Sequence, residues 1–218
     1  MQQIVNLSRQ NAILNHFVAE LRDVNIQNDS MRFRHNLTRI GEVLAYEISK
    51  TLNYTPAEVE TPLGIAETQL LQQQPVLATI LRAGLPMHEG MLNFFDKAGN
   101  AFVSAYRRHH KDGTFEINVE YVSCPSLTDR PLIICDPMLA TGSSMEMAIQ
   151  ALLKQGTPSS IHVAVAIAAV DGIDYIRRRL PYVNIWTCAI DEELTAKSYI
   201  VPGLGDAGDL AYGAKAQE

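Results

Sequence analysis

Residues 132–144 read LIICDPMLATGSS, an apolar run that ends in an acidic residue, a proline and a Thr-Gly-Ser turn. The run Leu132–Cys135 is typical of a strand buried on both faces. Apolar residues then recur every three or four positions along residues 145–153, which predicts a helix. Residues 161–169 form a second apolar strand. The series predicts a βαβ unit with parallel strands and a right-handed crossover.

The same alternation continues on both sides of this unit. Apolar patterns predict strands at residues 76–80, 101–106, 115–121 and 184–189, and helices at residues 33–52, 87–95 and 172–180. We therefore expect an α/β fold, an open and mainly parallel sheet flanked by helices. An Asp-Gly turn at residues 112–113 predicts a β-hairpin arm over residues 107–121. The proline-containing residues 53–62 are interpreted as the end of the first helix.

Length and composition exclude several classes of protein. The chain has 218 residues, of which 47% are hydrophobic and 19% charged, so it is too apolar to be disordered and residues 1–218 are expected to form one domain. A formal net charge of -6 argues against a general nucleic-acid or anionic-membrane partner. Three cysteines without a C-x-x-C motif support neither a disulfide framework nor a zinc site, and residues 1–10 lack a signal-peptide pattern. We expect a soluble, cytoplasmic protein.

The most informative segment begins where the strand at residues 132–135 ends. It consists of Asp136, Pro137, Met138, Leu139, Ala140, Thr141, Gly142, Ser143 and Ser144. The N–H groups at the start of the following helix, together with three hydroxyls, could bind a phosphate monoester. The carboxylate of Asp136 could accept hydrogen bonds from the two hydroxyls of a ribose. Neither a Walker A motif nor a G-x-G-x-x-G motif is present, so the segment predicts a different phosphate loop, suited to ribose 5-phosphate.

Three segments, in the right order, resemble a known family. Residues 136–144, the sequence Ile-Leu-Arg-Ala-Gly-Leu at residues 80–85 and the glycine-rich residues 199–209 are similar to motifs of the type I phosphoribosyltransferases, and within them of the uracil phosphoribosyltransferase family. Two residues depart from the pattern. Ser143 and Pro86 each stand where the family has glycine, and Ser143 would be strained if its position required a positive φ.

The resemblance implies a substrate pair, phosphoribosyl pyrophosphate (PRPP) and uracil, and a site for each. By resemblance, PRPP is bound by Arg82, Arg107, Asp206 and residues 136–144, and uracil is bound by Ile200, Gly205, Asp206 and Ala207. The same comparison gives catalytic roles to Arg82, Asp136 and Asp206. It implies that Mg²⁺ enters as Mg-PRPP, with Asp206 in contact through water. It also implies a C-terminal base-binding loop, a homo-oligomer and, for some members, activation by GTP.

The expected reaction is transfer of the 5-phosphoribosyl group from PRPP to N1 of uracil, giving UMP and pyrophosphate. Three other functions stay open at this point. The chain could use a purine or orotate instead of uracil, act as a pyrimidine-responsive RNA-binding regulator on the same fold, or bind nucleotides as a non-catalytic sensor. The charge of -6 disfavours the regulator, and the intact acidic and arginine positions disfavour the sensor.

Overall fold

The computed structural model describes residues 3–109 and 115–214, and for residues 105–109 and 115–119 the backbone alone. The helices are α1 (Leu14–Arg22), α2 (Ser30–Ser49), α3 (Leu85–Leu92), α4 (Ser143–Leu152), α5 (Val170–Arg179) and α6 (Ala207–Tyr212). The first six strands are β1 (Ile4–Asn6), β2 (Tyr54–Thr61), β3 (Gly64–Leu71), β4 (Val76–Leu81), β5 (Gly99–His109) and β6 (Phe115–Ser123). The others are β7 (Pro131–Leu139), β8 (Ser160–Ala169), β9 (Val183–Thr187), β10 (Ile190–Asp191), β11 (Glu193–Leu194) and β12 (Ile200–Val201). Leu7–Arg9 and Leu153–Gln155 each form a 3₁₀ turn.

The central sheet has the order β1-β9-β8-β7-β4-β5-β6, and β10 pairs with the end of β8. All of its pairings are parallel except that of β5 with β6. The expectation of an open, mainly parallel sheet flanked by helices is confirmed. From β4 the chain continues to β5, toward one edge of the sheet, and from β7 it continues to β8 and β9, toward the opposite edge.

Each face of the sheet has its own hydrophobic core, because alternate residues of a strand point to opposite faces. One core joins α1, α2 and α3 to residues such as Leu77 and Ile133. The other joins α4 and α5 to their neighbours Ala78 and Ile134. Helices on opposite faces follow from right-handed crossovers that run in opposite directions along the sheet.

The strand order reverses between β4 and β7, which are direct neighbours. The connection after β4 leads to one face and the connection after β7 leads to the other, so a crevice opens between them at the carboxyl ends of the strands. Such reversal points are the usual ligand sites of open α/β sheets. The fold therefore predicts where a ligand binds before any side chain is considered.

Two predicted boundaries differ from the structure in an informative way. Strand β7 runs on to Leu139, so the acidic end of the motif belongs to the strand and the loop shortens to residues 140–142. Helix α2 begins at Ser30 rather than Phe33, because the Asp29 side chain caps it by accepting hydrogen bonds from the N–H groups of Met31 and Arg32.

The interpretation of residues 53–62 as the end of a helix is wrong, because Tyr54–Thr61 is strand β2. Strands β2 and β3 pair there in an antiparallel ribbon separate from the main sheet. Almost every residue of the ribbon is exposed, including the apolar side chains of Leu63 and Ile65. A ribbon with no buried face has no apolar alternation, which is why the sequence pattern did not indicate strands.

The predicted arm begins within the sheet. Strand β5 pairs with β4 as far as Ser104 and beyond that point only with β6, after a bulge between Ser104 and Ala105. The paired strands β5 and β6 therefore continue beyond the last residue of β5 that pairs with β4. The predicted Asp-Gly turn at residues 112–113 lies outside the described residues. Among the described residues, no helix combines the length and the apolar character needed to cross a bilayer.

Candidate active site

A cleft of about 170 Å³ lies at the reversal point between β4 and β7. Its walls come from three separate parts of the chain. The lining residues are Ile80, Leu81, Arg82, Ala83, Asp136, Pro137, Met138, Ser144, Asp206, Ala207 and Gly208. The structure thus brings together the three segments that the sequence singled out, although 128 positions separate Ile80 from Gly208.

Arg82 follows the last residue of β4, and the peptide bond between Leu81 and Arg82 is cis. Its Nη2 atom donates to the carbonyl oxygen of Gly213 at 3.1 Å and lies 3.5 Å from Oδ1 of Asp209. Its Nε atom is buried and has no hydrogen-bond partner among the described residues. Because a buried donor without a partner costs free energy, this atom is suited to an anionic ligand in the cleft.

Asp136 lies in β7, is half-buried and lines the cleft. Desolvation raises the pKa of Asp136 to about 8. A protonated carboxyl group accepts fewer hydrogen bonds than a carboxylate, so donors supplied by a ligand favour its ionisation. The position and chemistry of Asp136 fit the predicted contact with a ribose diol.

The phosphate loop, defined here as residues 140–144, joins β7 to α4. Gly142 is the N-cap residue with a φ of +86°, and Ser143 is the first helical residue. The condition under which Ser143 would be strained is therefore not met, since the positive φ belongs to the glycine before it. Ser143 N–H lies 3.4 Å from Oγ1 of Thr141. The first N–H groups of α4 have no carbonyl partners within the helix and face the loop.

Helix α5 supports the phosphate loop from the outer side. A Cβ atom on Gly142 would lie 2.9 Å from Cδ1 of Tyr175. The Tyr175 hydroxyl donates to Oε2 of Glu146 at 2.6 Å, and Nε of Arg179 donates to Oε1 of Glu146 at 2.9 Å. The hydrogen bond to Glu146 raises the pKa of Tyr175. The first turn of α4 is thereby fixed against α5.

The base loop, defined here as residues 200–208, forms the third wall. Asp206 caps α6, and its Oδ1 atom accepts from Asp209 N–H at 3.0 Å. Ala207 is fully buried and lines the cleft, whereas the side chain of Ile200 packs into the core. Gly205 has a φ of +91° with open space around it. Contacts between this loop and a flat ligand would therefore come mainly from main-chain atoms.

The remaining predicted residues are placed as follows. Arg107 belongs to β5, but its side chain lies outside the described residues. Leu139 is buried in the core, so it can contact a ligand only through its main chain. Ser144 lines the cleft, whereas Thr141 and Ser143 do not. Pro86 stands at the second position of α3, where a helix tolerates proline.

Several residues near the site were missed by sequence reasoning. Tyr175 and Glu146 hydrogen-bond beside the phosphate loop, and Arg22 and Asp191 hydrogen-bond to Gly203 of the base loop. No sequence pattern indicates either pair. Their partners are distant along the chain, and single charged or aromatic residues in amphipathic helices are common.

The residues present fit a cation that arrives on a substrate. Among the described residues, no group of three His, Cys, Asp or Glu side chains could hold a metal ion. Asp136 and Asp206 nevertheless place carboxyl oxygens at the cleft. Mg²⁺ keeps several water ligands and binds substrate phosphates with few carboxylates, so these two residues suit a magnesium-bound pyrophosphate.

Comparison with known proteins agrees with this geometry. The family model described as uracil phosphoribosyltransferase matches residues 8–214. The chain belongs to the uracil phosphoribosyltransferase family. The curated uracil phosphoribosyltransferase of Porphyromonas gingivalis is 56% identical over 214 residues, which are 98% of this chain and 99% of that protein. The uracil phosphoribosyltransferase of Pyrococcus furiosus is 40% identical over 199 residues, which are 90% of this chain and 84% of that protein.

Solved structures allow the fold of this chain to be compared with those of known proteins. A protein from Aquifex aeolicus aligns over 99% of this chain and 100% of its own, with a TM-score of 0.87 and 32% identity. A hypoxanthine phosphoribosyltransferase from Staphylococcus aureus aligns over 85% of this chain and 84% of its own, with a TM-score of 0.51 and 12% identity. The second likeness concerns the fold alone, and it places this member of the uracil phosphoribosyltransferase family on the type I phosphoribosyltransferase fold.

Proposed function

We propose that this chain transfers the 5-phosphoribosyl group from PRPP to N1 of uracil, giving UMP and pyrophosphate. The observation that carries the proposal is the meeting of residues 80–83, residues 136–138 with Ser144, and residues 206–208 at one cleft. Membership of the uracil phosphoribosyltransferase family, with 56% identity to one of its curated enzymes, supports the same reaction.

Each wall of the cleft suits one part of the two substrates. The phosphate loop offers N–H groups and hydroxyls at the start of α4, which suit the 5-phosphate of PRPP. Asp136 suits the ribose hydroxyls, and Arg82 suits the pyrophosphate because a guanidinium group matches phosphate oxygens with paired donors. The base loop can supply main-chain donors for the uracil carbonyls and an acceptor for N3–H.

In the proposed reaction, the bond between uracil N1 and C1′ forms as the bond between C1′ and the pyrophosphate oxygen breaks. The proton on N1 is released, and the leaving pyrophosphate takes the bonding electrons. Positive charge at C1′ is expected in the transition state, as in other displacements at an anomeric carbon. No covalent enzyme intermediate is required.

The catalytic roles follow from charge and alignment. Arg82 stabilises the negative charge that develops on pyrophosphate, and Asp136 holds the ribose so that C1′ faces the base. Asp206 belongs to the base loop and lines the cleft, and it would contact the water ligands of a bound cation. Mg²⁺ bound to PRPP supplies further neutralisation of the pyrophosphate charge.

The decisive experiment incubates the protein with PRPP and Mg²⁺ and, in separate reactions, uracil, orotate, hypoxanthine and adenine. Nucleotide and pyrophosphate are then measured by chromatography. Formation of UMP with uracil alone is the expected result. If another base reacts in place of uracil, that base is the substrate and the uracil assignment is wrong. If calorimetry shows PRPP binding but no base reacts, the non-catalytic nucleotide sensor is favoured. Specific RNA binding without turnover would favour the regulator.

The assembly state and the location of the protein belong to the same proposal. A homo-oligomer is supported by the β2–β3 ribbon, because an isolated hairpin with exposed apolar side chains is marginally stable in water. Light scattering of the purified protein tests this.

A reducing, cytoplasmic location is supported by three free cysteines, two of them buried. The family resemblance alone supports GTP as an effector, and titration of activity with GTP tests it.

A further inference from the structure

Resting on the proposed function, we propose that Arg22 and Asp191 are positioning residues for uracil. The two side chains form an ion pair that holds both main-chain polar groups of Gly203, and Gly203 lies within the base loop. Neither residue lines the cleft. Their effect on the reaction would therefore pass through the geometry of the loop.

The contacts between the three residues are short and complementary. Arg22 donates to both carboxylate oxygens of Asp191, from Nη1 to Oδ2 at 2.8 Å and from Nη2 to Oδ1 at 2.9 Å. The Nη1 atom also donates to the carbonyl oxygen of Gly203 at 3.1 Å. The N–H group of Gly203 donates to Oδ2 of Asp191 at 3.0 Å. The ion pair thus satisfies both polar groups of one peptide residue, much as a neighbouring strand would.

Both members of the ion pair are fixed to rigid parts of the fold. Asp191 is only 7% exposed and ends β10, where it pairs with Ala169 at the carboxyl end of β8. Arg22 is the last residue of α1, whose Leu14, Val18 and Leu21 are buried. A planar guanidinium bound through two donors also has little freedom to reorient. Through these two side chains, the position of Gly203 is fixed relative to the central sheet and to α1.

Gly203 has no side chain with which to anchor itself. A Cβ atom at this position would lie 2.1 Å from the carbonyl oxygen of Ile200, which shows how tightly the loop turns here. The next residues toward the cleft are Leu204, Gly205 and Asp206. A shift of Gly203 would be transmitted along this short segment to the main-chain atoms proposed to contact uracil.

The two substrates should respond differently to loss of the ion pair. PRPP is proposed to rest on Arg82 and residues 136–144 as well as on Asp206, so most of its contacts lie outside the base loop. Uracil is proposed to rest on the base loop alone. Small losses of geometry at a site are costly when no other contacts compensate. We therefore expect a selective effect on uracil.

The test compares Arg22→Gln and Asp191→Asn with the control Arg130→Gln. Arg130 is a matched arginine because it also donates to main-chain carbonyls, those of Gln74 at 3.1 Å and Pro75 at 2.8 Å, but it does so at the amino ends of the strands. The measurements are the KM for uracil at saturating PRPP, the Kd for PRPP by calorimetry and the melting temperature.

We expect Arg22→Gln and Asp191→Asn to raise the KM for uracil about tenfold and to change the Kd for PRPP less than about threefold, which corresponds to the loss of charge-assisted hydrogen bonds at one loop. Arg130→Gln should lower the melting temperature without raising the KM for uracil more than the Kd for PRPP. Arg22→Lys, which keeps the charge but loses the paired donors, should recover only part of the uracil affinity. Equal changes for both substrates, or the same split in the control, would overturn the inference.

Failure of the proposed function would be recognised separately, as absence of UMP formation by the unsubstituted protein. The inference would then be decided by amide hydrogen exchange. Arg22→Gln should speed exchange at Gly203 and Ala207 relative to β7, and Arg130→Gln should not. Unchanged exchange in the base loop of the Arg22→Gln variant would show that the ion pair does not position it.

Discussion

The phosphate loop, proposed to bind the 5-phosphate of PRPP, and the base loop, proposed to bind uracil, are built in different ways. The phosphate loop connects β7 to α4 directly, so its two ends are fixed by elements that adjoin it in sequence. The base loop is held by Arg22 and Asp191, which lie 181 and 12 positions from Gly203. One loop is positioned by its own flanking elements and the other by residues brought together in the fold.

This difference has consequences for sensitivity to substitution. In the phosphate loop, damage should come from residues within the loop or directly against it, such as Tyr175. In the base loop, damage should also come from residues far away in sequence. Arg82 belongs to neither loop but contacts Gly213 beyond the base loop and lines the same cleft, so it connects the two regions.

The largest effect is expected for Arg82→Gln, which removes the charge proposed to bind pyrophosphate. The value of kcat/KM for PRPP should fall about a hundredfold to a thousandfold, the range found when a transition-state donor is removed. Thermal stability should change little, because the side chain of Arg82 is 37% exposed and its contact with Asp209 is long. Steady-state kinetics and calorimetric melting measure the two quantities. A large loss of stability would mean that Arg82 is a structural residue.

A smaller effect, with a dependence on pH, is expected for Asp136→Asn. Its pKa of about 8 in the folded protein lies well above the ordinary value, so between about pH 4 and pH 8 the folded state holds a proton that the unfolded state has lost. The contribution of Asp136 to stability is therefore full below about pH 4 and is lost as the pH rises to about 8. The Asp136→Asn variant has no carboxyl group at this position, so it does not lose this stability as the pH rises.

We expect the melting temperature of ligand-free Asp136→Asn to exceed that of the unsubstituted protein at pH 8 and to approach it at pH 5. Affinity for PRPP should show the opposite trend. The ionised carboxylate accepts the ribose hydrogen bonds, so binding to the unsubstituted protein should tighten from pH 7 to pH 9, and binding to the variant should not. Melting curves and PRPP titrations at several pH values test both statements. Parallel pH profiles in the two proteins would contradict the assignment.

Two glycines provide a direct comparison of the loops. Gly142 and Gly205 have similar φ values, +86° and +91°, but a Cβ atom meets Tyr175 at the first and nothing within 4 Å at the second. Alanine at either position costs about 1–2 kcal/mol of backbone strain. Gly142→Ala adds a clash and should lower the melting temperature further and weaken PRPP binding about tenfold. Gly205→Ala should affect the KM for uracil more than PRPP binding. Equal stability losses would show that the clash is relieved.

The smallest effect is expected for Ser143→Gly, which restores the residue typical of the family. Ser143 is the first residue of α4 and needs no positive φ, so glycine relieves no strain. The Kd for PRPP should stay within about threefold of its original value, since the N–H group at this position is retained. Calorimetric titration measures it. A collapse of affinity would instead identify the Ser143 hydroxyl as an essential phosphate ligand.

The strands and helices around the cleft were predictable because their signals are local. Buried parallel strands such as β7 and β8 are continuous apolar runs, and the apolar stripe of α4 repeats at helical spacing. The exposed ribbon of β2 and β3 was missed for the same reason, since residues that bury no face carry no pattern. Site residues were predictable where they belong to contiguous motifs, and Asp136 is an example.

By itself the sequence determined the α/β alternation, the phosphate loop and the family, because each depends on residues that are neighbours in the chain. The tertiary structure alone decided that the strand order reverses between β4 and β7 and that three segments meet there. It also decided that α1 and β10 hold the base loop through Arg22 and Asp191. Charged side chains separated by 169 residues leave no periodic signal, and only the packing of helices on a twisted sheet brings them within hydrogen-bonding distance.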